Sequence, residues 1–256
     1  MKTWGNEKYE QSVVKGRIYR RVKMFKTKKI GCICIAVVMA LTVTVTGTSP
    51  AYATYQDTVG GFTYDGMYIP QFDGDSYEQI NGNDPTFTNA EKANGISNEF
   101  ENYSELDSLG RCGVAYASLD ESLMPTWSRG SISSIYPSGW IQASYSVVSG
   151  GYLYNRCHLI GFQLTGVDNT NAKKAYCKKD LITGTRYLNV GTSSTGMVGF
   201  ENQVASYIKS NSTKNVLYRV TPVYQGNNLV AAGVIMEAES LEDNNIEFCV
   251  FCYNVQ

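Results

Sequence analysis

The sequence predicts an α+β protein with a mostly antiparallel central sheet and few helices. Stretches rich in branched and aromatic residues recur at 113–119, 141–148, 152–154, 216–224, 229–237 and 246–255, each the length of a strand. The closing strands follow one another at short range, with Gln225-Gly226-Asn227-Asn228 between two of them, which suits antiparallel neighbours. Only 200–208 carries a clear helical period, with Phe200, Val204, Tyr207 and Ile208 at i, i+4, i+7 and i+8, ending near Asn211. Pro137-Ser138-Gly139-Trp140 turns the chain into the 141–148 strand, and Gly150-Gly151 turns it again into Tyr152-Leu153-Tyr154.

The chain has 256 residues, 43% hydrophobic and 18% charged, enough for one sizeable domain plus an additional segment. No tandem repeat or long low-complexity tract is visible, and disorder throughout is excluded. His158 is the only histidine, so a two-histidine zinc centre and a 2-His-1-carboxylate iron site are excluded.

A formal net charge of −1 conceals three regions. Residues 1–29 carry ten basic and two acidic side chains, and an apolar run follows from Ile30 to Val45. Then come Gly47, Pro50 and the small-x-small triplet Ala51-Tyr52-Ala53. This order reads as an export signal over 1–53 with cleavage after Ala53. The apolar run has 16 residues, shorter than the roughly 20 a membrane span needs, which favours a signal over a permanent anchor. Membrane contact is then expected only through an uncleaved signal, and the mature chain is expected outside the cell or on the outer face of its membrane. Met24 begins a more ordinary signal, Met24-Phe25-Lys26-Thr27-Lys28-Lys29, and is an alternative start. Without residues 1–53 the chain carries 12 basic and 21 acidic side chains, a net −9. Residues 54–105 read as an acidic, turn-rich lead-in, and 106–256 as the functional domain. Within that domain, 151–220 holds nine basic residues against Asp168, Asp180 and Glu201, a local +6.

Five cysteines remain after the signal, Cys112, Cys157, Cys177, Cys249 and Cys252, so at least one is unpaired within the chain. Cys249 and Cys252 have redox-pair spacing, but in a strand positions i and i+3 face opposite ways, so core thiols are expected. Cys157 and His158 are adjacent strand residues that point apart, which argues against a Cys-His nucleophile pair.

The chemistry-bearing constellation is Asn155-Arg156-Cys157-His158, followed by the segment from Asp180 to Asn189, then Glu201 and Asn202. Strand alternation puts the Arg156 guanidinium and the His158 imidazole on one face. Phosphodiester hydrolysis needs a base for water, a cation for developing oxygen charge, and donors that hold the phosphate. His158, a magnesium ion and Arg156 supply these. Magnesium retains several waters and needs only one or two protein oxygens, so Asn189 alone, or Asn189 with Glu201 through water, suffices.

Three segments, 106–115, Asn155-Arg156-Cys157-His158-Leu159-Ile160-Gly161 and 181–189, resemble the DNA/RNA non-specific endonucleases, in particular the secreted and DNA-entry nucleases of Gram-positive bacteria. The resemblance spans about residues 106–256 and implies a ββα-metal motif on the α+β sheet. It implies His158 as general base, Asn189 as the ligand of a catalytic Mg2+ (Mn2+ as substitute), and Glu201 as a helix carboxylate holding metal-bound water. Arg156 is the implied phosphate contact; Arg186 is a candidate substrate contact on its charge alone. The substrate implied is DNA, with RNA as a second candidate, cut with little sequence preference. The first motif departs from the wider family's Asp-Arg-Gly-His at Asn155 and Cys157, and Asp180 stands where many relatives carry asparagine.

Taken singly, His158 is a packing residue, Asn189 a turn or cap residue and Glu201 a first-turn carboxylate; their joint order carries the functional reading. Lys173, Lys174, Lys178 and Lys179 are further candidates for backbone contacts, with Arg129 behind them. The alternatives from other classes are a catalytically silent nucleic-acid-binding or cell-surface module with the same fold, and a toxin with an acidic targeting lead-in. Oligomeric state is not legible.

Overall fold

The computed structural model describes residues 59–256, together with a short antiparallel pair, β1 (Val13–Val14) and β2 (Arg17–Ile18). That pair belongs to a first unit, Met1–Gly47, and all the other described elements belong to the second, Thr48–Gln256. The apolar run and cleavage point of the expected export signal, and the start at Met24, lie outside the described residues. Among the described residues no helix is long and apolar enough to cross a membrane.

The second unit opens with a hairpin, β3 (Phe62–Tyr64) and β4 (Met67–Ile69). Next come β5 (Tyr77–Gln79), helix α1 (Asn89–Ser97), β6 (Phe100–Tyr103) and β7 (Ala115–Leu119). Thr88 and Glu91 close a capping box at the start of α1. After a long irregular stretch, β8 (Tyr154–His158) leads into the short helices α2 (Phe162–Thr165) and α3 (Lys174–Cys177). The chain continues through β9 (Leu181–Thr185), α4 (Arg186–Val190) and α5 (Met197–Ser210). It closes with β10 (Val216–Val223), β11 (Gly233–Ser240) and β12 (Glu247–Tyr253).

Six strands form one antiparallel sheet in the order β5-β12-β11-β10-β7-β6, as the α+β reading expects. The acidic stretch read from sequence as a lead-in supplies both edge strands, β5 and β6. Apolar residues cover both faces of the sheet, which is why its central strands read as nearly continuous apolar runs. Along β12 the period of two is explicit: Phe248, Val250 and Cys252 enter one core, and Cys249, Phe251 and Tyr253 the other. The two C-x-x-C thiols therefore lie on opposite faces, and all five described cysteines are free and buried. The first core is completed by α5 and by the separate β8-β9 ladder; the second takes Val59, Met67 and Ile69 from around the β3-β4 hairpin.

One expected strand is absent. Residues 141–148 form no ladder beyond a single bridge, Ser144 to Tyr152. Ile141 and Val147 are mostly exposed, so the branched residues that suggested a strand have no sheet to join.

Candidate active site

β8 and β9 pair antiparallel with His158 opposite Leu181 and Asn155 opposite Gly184, and α4 and α5 follow. This is the β-β-α order that the resemblance implies. The end of β9 is tied to the main sheet by Asn254, which accepts from the Thr185 N–H (2.8 Å) and donates to Thr183 O (3.1 Å) and Ala231 O (2.9 Å). Thr185 caps α4 by accepting from the Leu188 N–H at 2.9 Å. Asn189 is therefore presented from a capped, anchored turn.

Helix α5 begins at Met197, so Glu201 sits in its second turn and its place is not explained by the charge preference of a first turn. Instead it lies in the buried stripe of Met197, Phe200, Val204 and Ile208. Glu201 is 6% exposed and makes no hydrogen bond or ion pair among the described residues. Burial pushes its carboxyl up to about 8.

His158 ends β8 and is 8% exposed. Its Nε2 lies 3.2 Å from the carbonyl oxygen of Val167. A carbonyl only accepts, so Nε2 carries the proton in the neutral ring and Nδ1 keeps the free lone pair. The left-handed Gly166 (φ 69°), which terminates α2, delivers that carbonyl. Burial above all, and then the Arg129 cation, bring the imidazole down to about 4, with the Val167 carbonyl and the Asp168 carboxylate opposing the shift.

His158, Arg156, Asn189 and Glu201 line a single cavity of about 310 Å³. Arg156 is only partly available to a substrate, because its Nε donates to Ile135 O and its Nη2 to Ser133 O (2.7 Å). Arg186 is not among the lining residues; it opens α4, its backbone N–H donating to Leu153 O. Lys173 and Lys179 are paired with Glu101 and Glu105 from the acidic segment. Asp180 is fully buried, its Oδ1 accepting from the Ile160 N–H at 2.9 Å, and it supports the turn after His158 without lining the cavity.

The residue that sequence reasoning undervalued is Arg129, which lines the same cavity. Buried Asp168 holds its loop there, accepting from the N–H groups of Gly130 (2.8 Å), Thr170 (2.7 Å) and Asn171 (3.1 Å). Arg129 lies 29 positions before His158, and no local motif marks it. The only signal available was that no other charged side chain occurs between Glu121 and Arg156.

A larger cavity, about 530 Å³, lies by Asp75, Glu78, Tyr187 and Thr195. The Asp73, Asp75 and Glu78 carboxylates there approach within 4.8 Å of one another, but Asp73 and Asp75 are exposed. The lining of that cavity includes no imidazole or guanidinium, whereas the smaller cavity is lined by His158, Arg129 and Arg156 and is the candidate active site.

Glu201 and Asn189 offer hard oxygens, and neither side chain has a hydrogen-bond partner among the described residues, so the pair suits a magnesium-type cation. A profile of the family described as DNA/RNA non-specific endonuclease matches residues 90–242. Over 63 residues the chain is 43% identical to a deoxyribonuclease of Streptococcus dysgalactiae subsp. equisimilis, covering 25% of this chain and 19% of that protein. The crystal structure of NucA from Streptococcus agalactiae with magnesium bound is similar at 25% identity and TM-score 0.60, over 71% of this chain and 80% of that one. The Sda1 nuclease with bound zinc is similar at 26% identity and TM-score 0.59, over 71% and 90%. With the profile spanning more than half of its length and the β-β-α order folded around one cavity, the chain belongs to the DNA/RNA non-specific endonuclease family.

Proposed function

We propose that the chain is an exported, metal-dependent endonuclease that hydrolyses phosphodiester bonds of DNA, and of RNA alongside it, with little sequence preference. The observation that carries this reading is a buried, unpartnered carboxylate, Glu201, sharing one small cavity with a histidine whose Nδ1 is the free nitrogen.

In this reading His158 Nδ1 takes a proton from the attacking water, while the Val167 carbonyl holds the ring in the required tautomer. Asn189 and Glu201 would hold Mg2+, which when bound stabilises charge on the phosphate and leaving oxygens. Arg129 and the free Nη1 of Arg156 position the phosphate, a role that carries no sequence information. Export rests on the basic-apolar-small order of residues 1–53.

The test is plasmid degradation by the purified chain with magnesium or chelator, beside His158→Ala. Magnesium-dependent nicking that the substitution abolishes in a folded protein is the expected result. No cleavage of DNA or RNA with any divalent cation overturns the enzyme reading in favour of a nucleic-acid-binding module.

A further inference from the structure

Of eleven large hydrophobic side chains that are exposed in the described residues, six lie between Trp127 and Tyr152: Trp127, Tyr136, Ile141, Tyr145, Val147 and Tyr152. Such crowding in one short segment is not the scatter of a normal surface. The segment is also uncharged, since Arg129 is the only ionisable Asp, Glu, Lys, Arg or His side chain between Ser122 and Asn155. It is ordered, because Tyr145 N–H donates to Gly151 O and Leu153 N–H to Ala143 O, both at 2.9 Å.

This surface runs into the catalytic cavity. Tyr152 is bridged to Ser144, and Leu153 O accepts from the Arg186 N–H. The chain bends at Leu153, just before β8, and Tyr152 is six residues from His158, at most about 20 Å at about 3.3 Å per residue. On the other side, the Arg156 guanidinium lies 5.4 Å from the Tyr136 ring and 4.1 Å from that of Trp140.

We propose that this aromatic surface, flanking Arg156, stacks unpaired bases of a single-stranded nucleic acid within a few nucleotides of the phosphate held in the cavity. The inference rests on the nuclease reading and names its substrate class. A duplex hides its base faces and presents phosphates, which call for distributed cations; here the cations are confined to one end. Unpaired bases offer neutral π-faces, and exposed tyrosines beside a phosphate-binding arginine match that alternation.

The experiment measures binding by fluorescence anisotropy in a His158→Ala background, with a labelled thymidine oligomer, an abasic oligomer of equal length and a DNA duplex. The oligomer with bases is expected to bind about tenfold tighter than the abasic one. Tyr136→Ala with Tyr152→Ala removes that preference without weakening abasic binding, and the two Phe substitutions keep it. The proposal is overturned if the preference is absent, if it survives both alanines, or if the duplex binds tightest. Equal weakening on all three probes overturns it in favour of a structural role, and loss of self-association alone in favour of a second copy of the chain. Cleavage of plasmid and of the labelled oligomer by the unaltered chain with divalent cation is read separately: no cleavage of either, with base preference retained, sinks only the nuclease reading.

Discussion

The backbone of Gly161 lies directly against the carboxylate of Glu201: a methyl group built on that Cα would approach Oε2 to 2.4 Å and Cδ to 2.6 Å. The turn after His158 and the buried acid of α5 thus occupy one another's only space. Gly161→Ala must displace the Glu201 carboxylate, which has no hydrogen bond to retain it. We expect weaker magnesium dependence by about 10–100-fold, the range for residues that orient metal ligands, with the fold kept. Metal titrations of activity and of melting temperature check this; unchanged half-saturation by magnesium would count against it.

Burial of Glu201 costs stability in a defined pH window. Its folded value of about 8 exceeds the ordinary 4.5, so the folded state keeps a proton that the unfolded state releases between those limits. The contribution is fully present below 4.5 and is lost as pH rises through 8, by about 5 kcal/mol at most. In chelator, Glu201→Gln should therefore be more stable than the parent by a margin that grows from pH 5 to 8. Magnesium should narrow the margin by stabilising only the parent. Denaturant melts across pH decide it, and a margin independent of pH refutes the assignment.

His158 is held near 4, below its ordinary 6.5, chiefly by burial and then by Arg129. A base must be neutral, so activity should persist as pH falls through 6.5 and fail only on the approach to 4. Arg129→Ala removes a nearby cation and should move the acid limb upward while lowering the rate. Rate profiles of both proteins under saturating metal test the sign, and a downward shift would remove Arg129 from the histidine's surroundings.

Asp180 is buried with Oδ1 on the Ile160 N–H and Oδ2 without a partner. Burial, with added repulsion from Glu201 and Glu101, raises its carboxyl well above the ordinary range despite the Ile160 hydrogen bond. The shift favours the protonated, uncharged form, which has the shape of an asparagine. Asp180→Asn should keep activity and fold, whereas Asp180→Ala, which strands the Ile160 N–H, should cost about 1–3 kcal/mol. Inactive but folded Asp180→Asn would contradict a purely supporting role.

The local elements were legible in the sequence because each has its own local signature. Strand-length runs rich in branched and aromatic residues marked β7, β10, β11 and β12, the i, i+4 spacing of Phe200 and Val204 marked α5, and alternation within Asn155-Arg156-Cys157-His158 separated the imidazole from the thiol. The order of His158, Asn189 and Glu201 was likewise readable, since the motif lies within 44 residues of chain. Tertiary structure decided what depends on distant partners. It made the acidic segment before residue 106 into the two edge strands, because edges are completed only when β7 and β12 are in place. It left 141–148 without a ladder, and it brought Arg129 to the cavity through the buried carboxylate of Asp168. Periodicity is a property of neighbours along the chain, whereas burial of Glu201, selection of the His158 tautomer and the approach of Gly161 arise from neighbours in space.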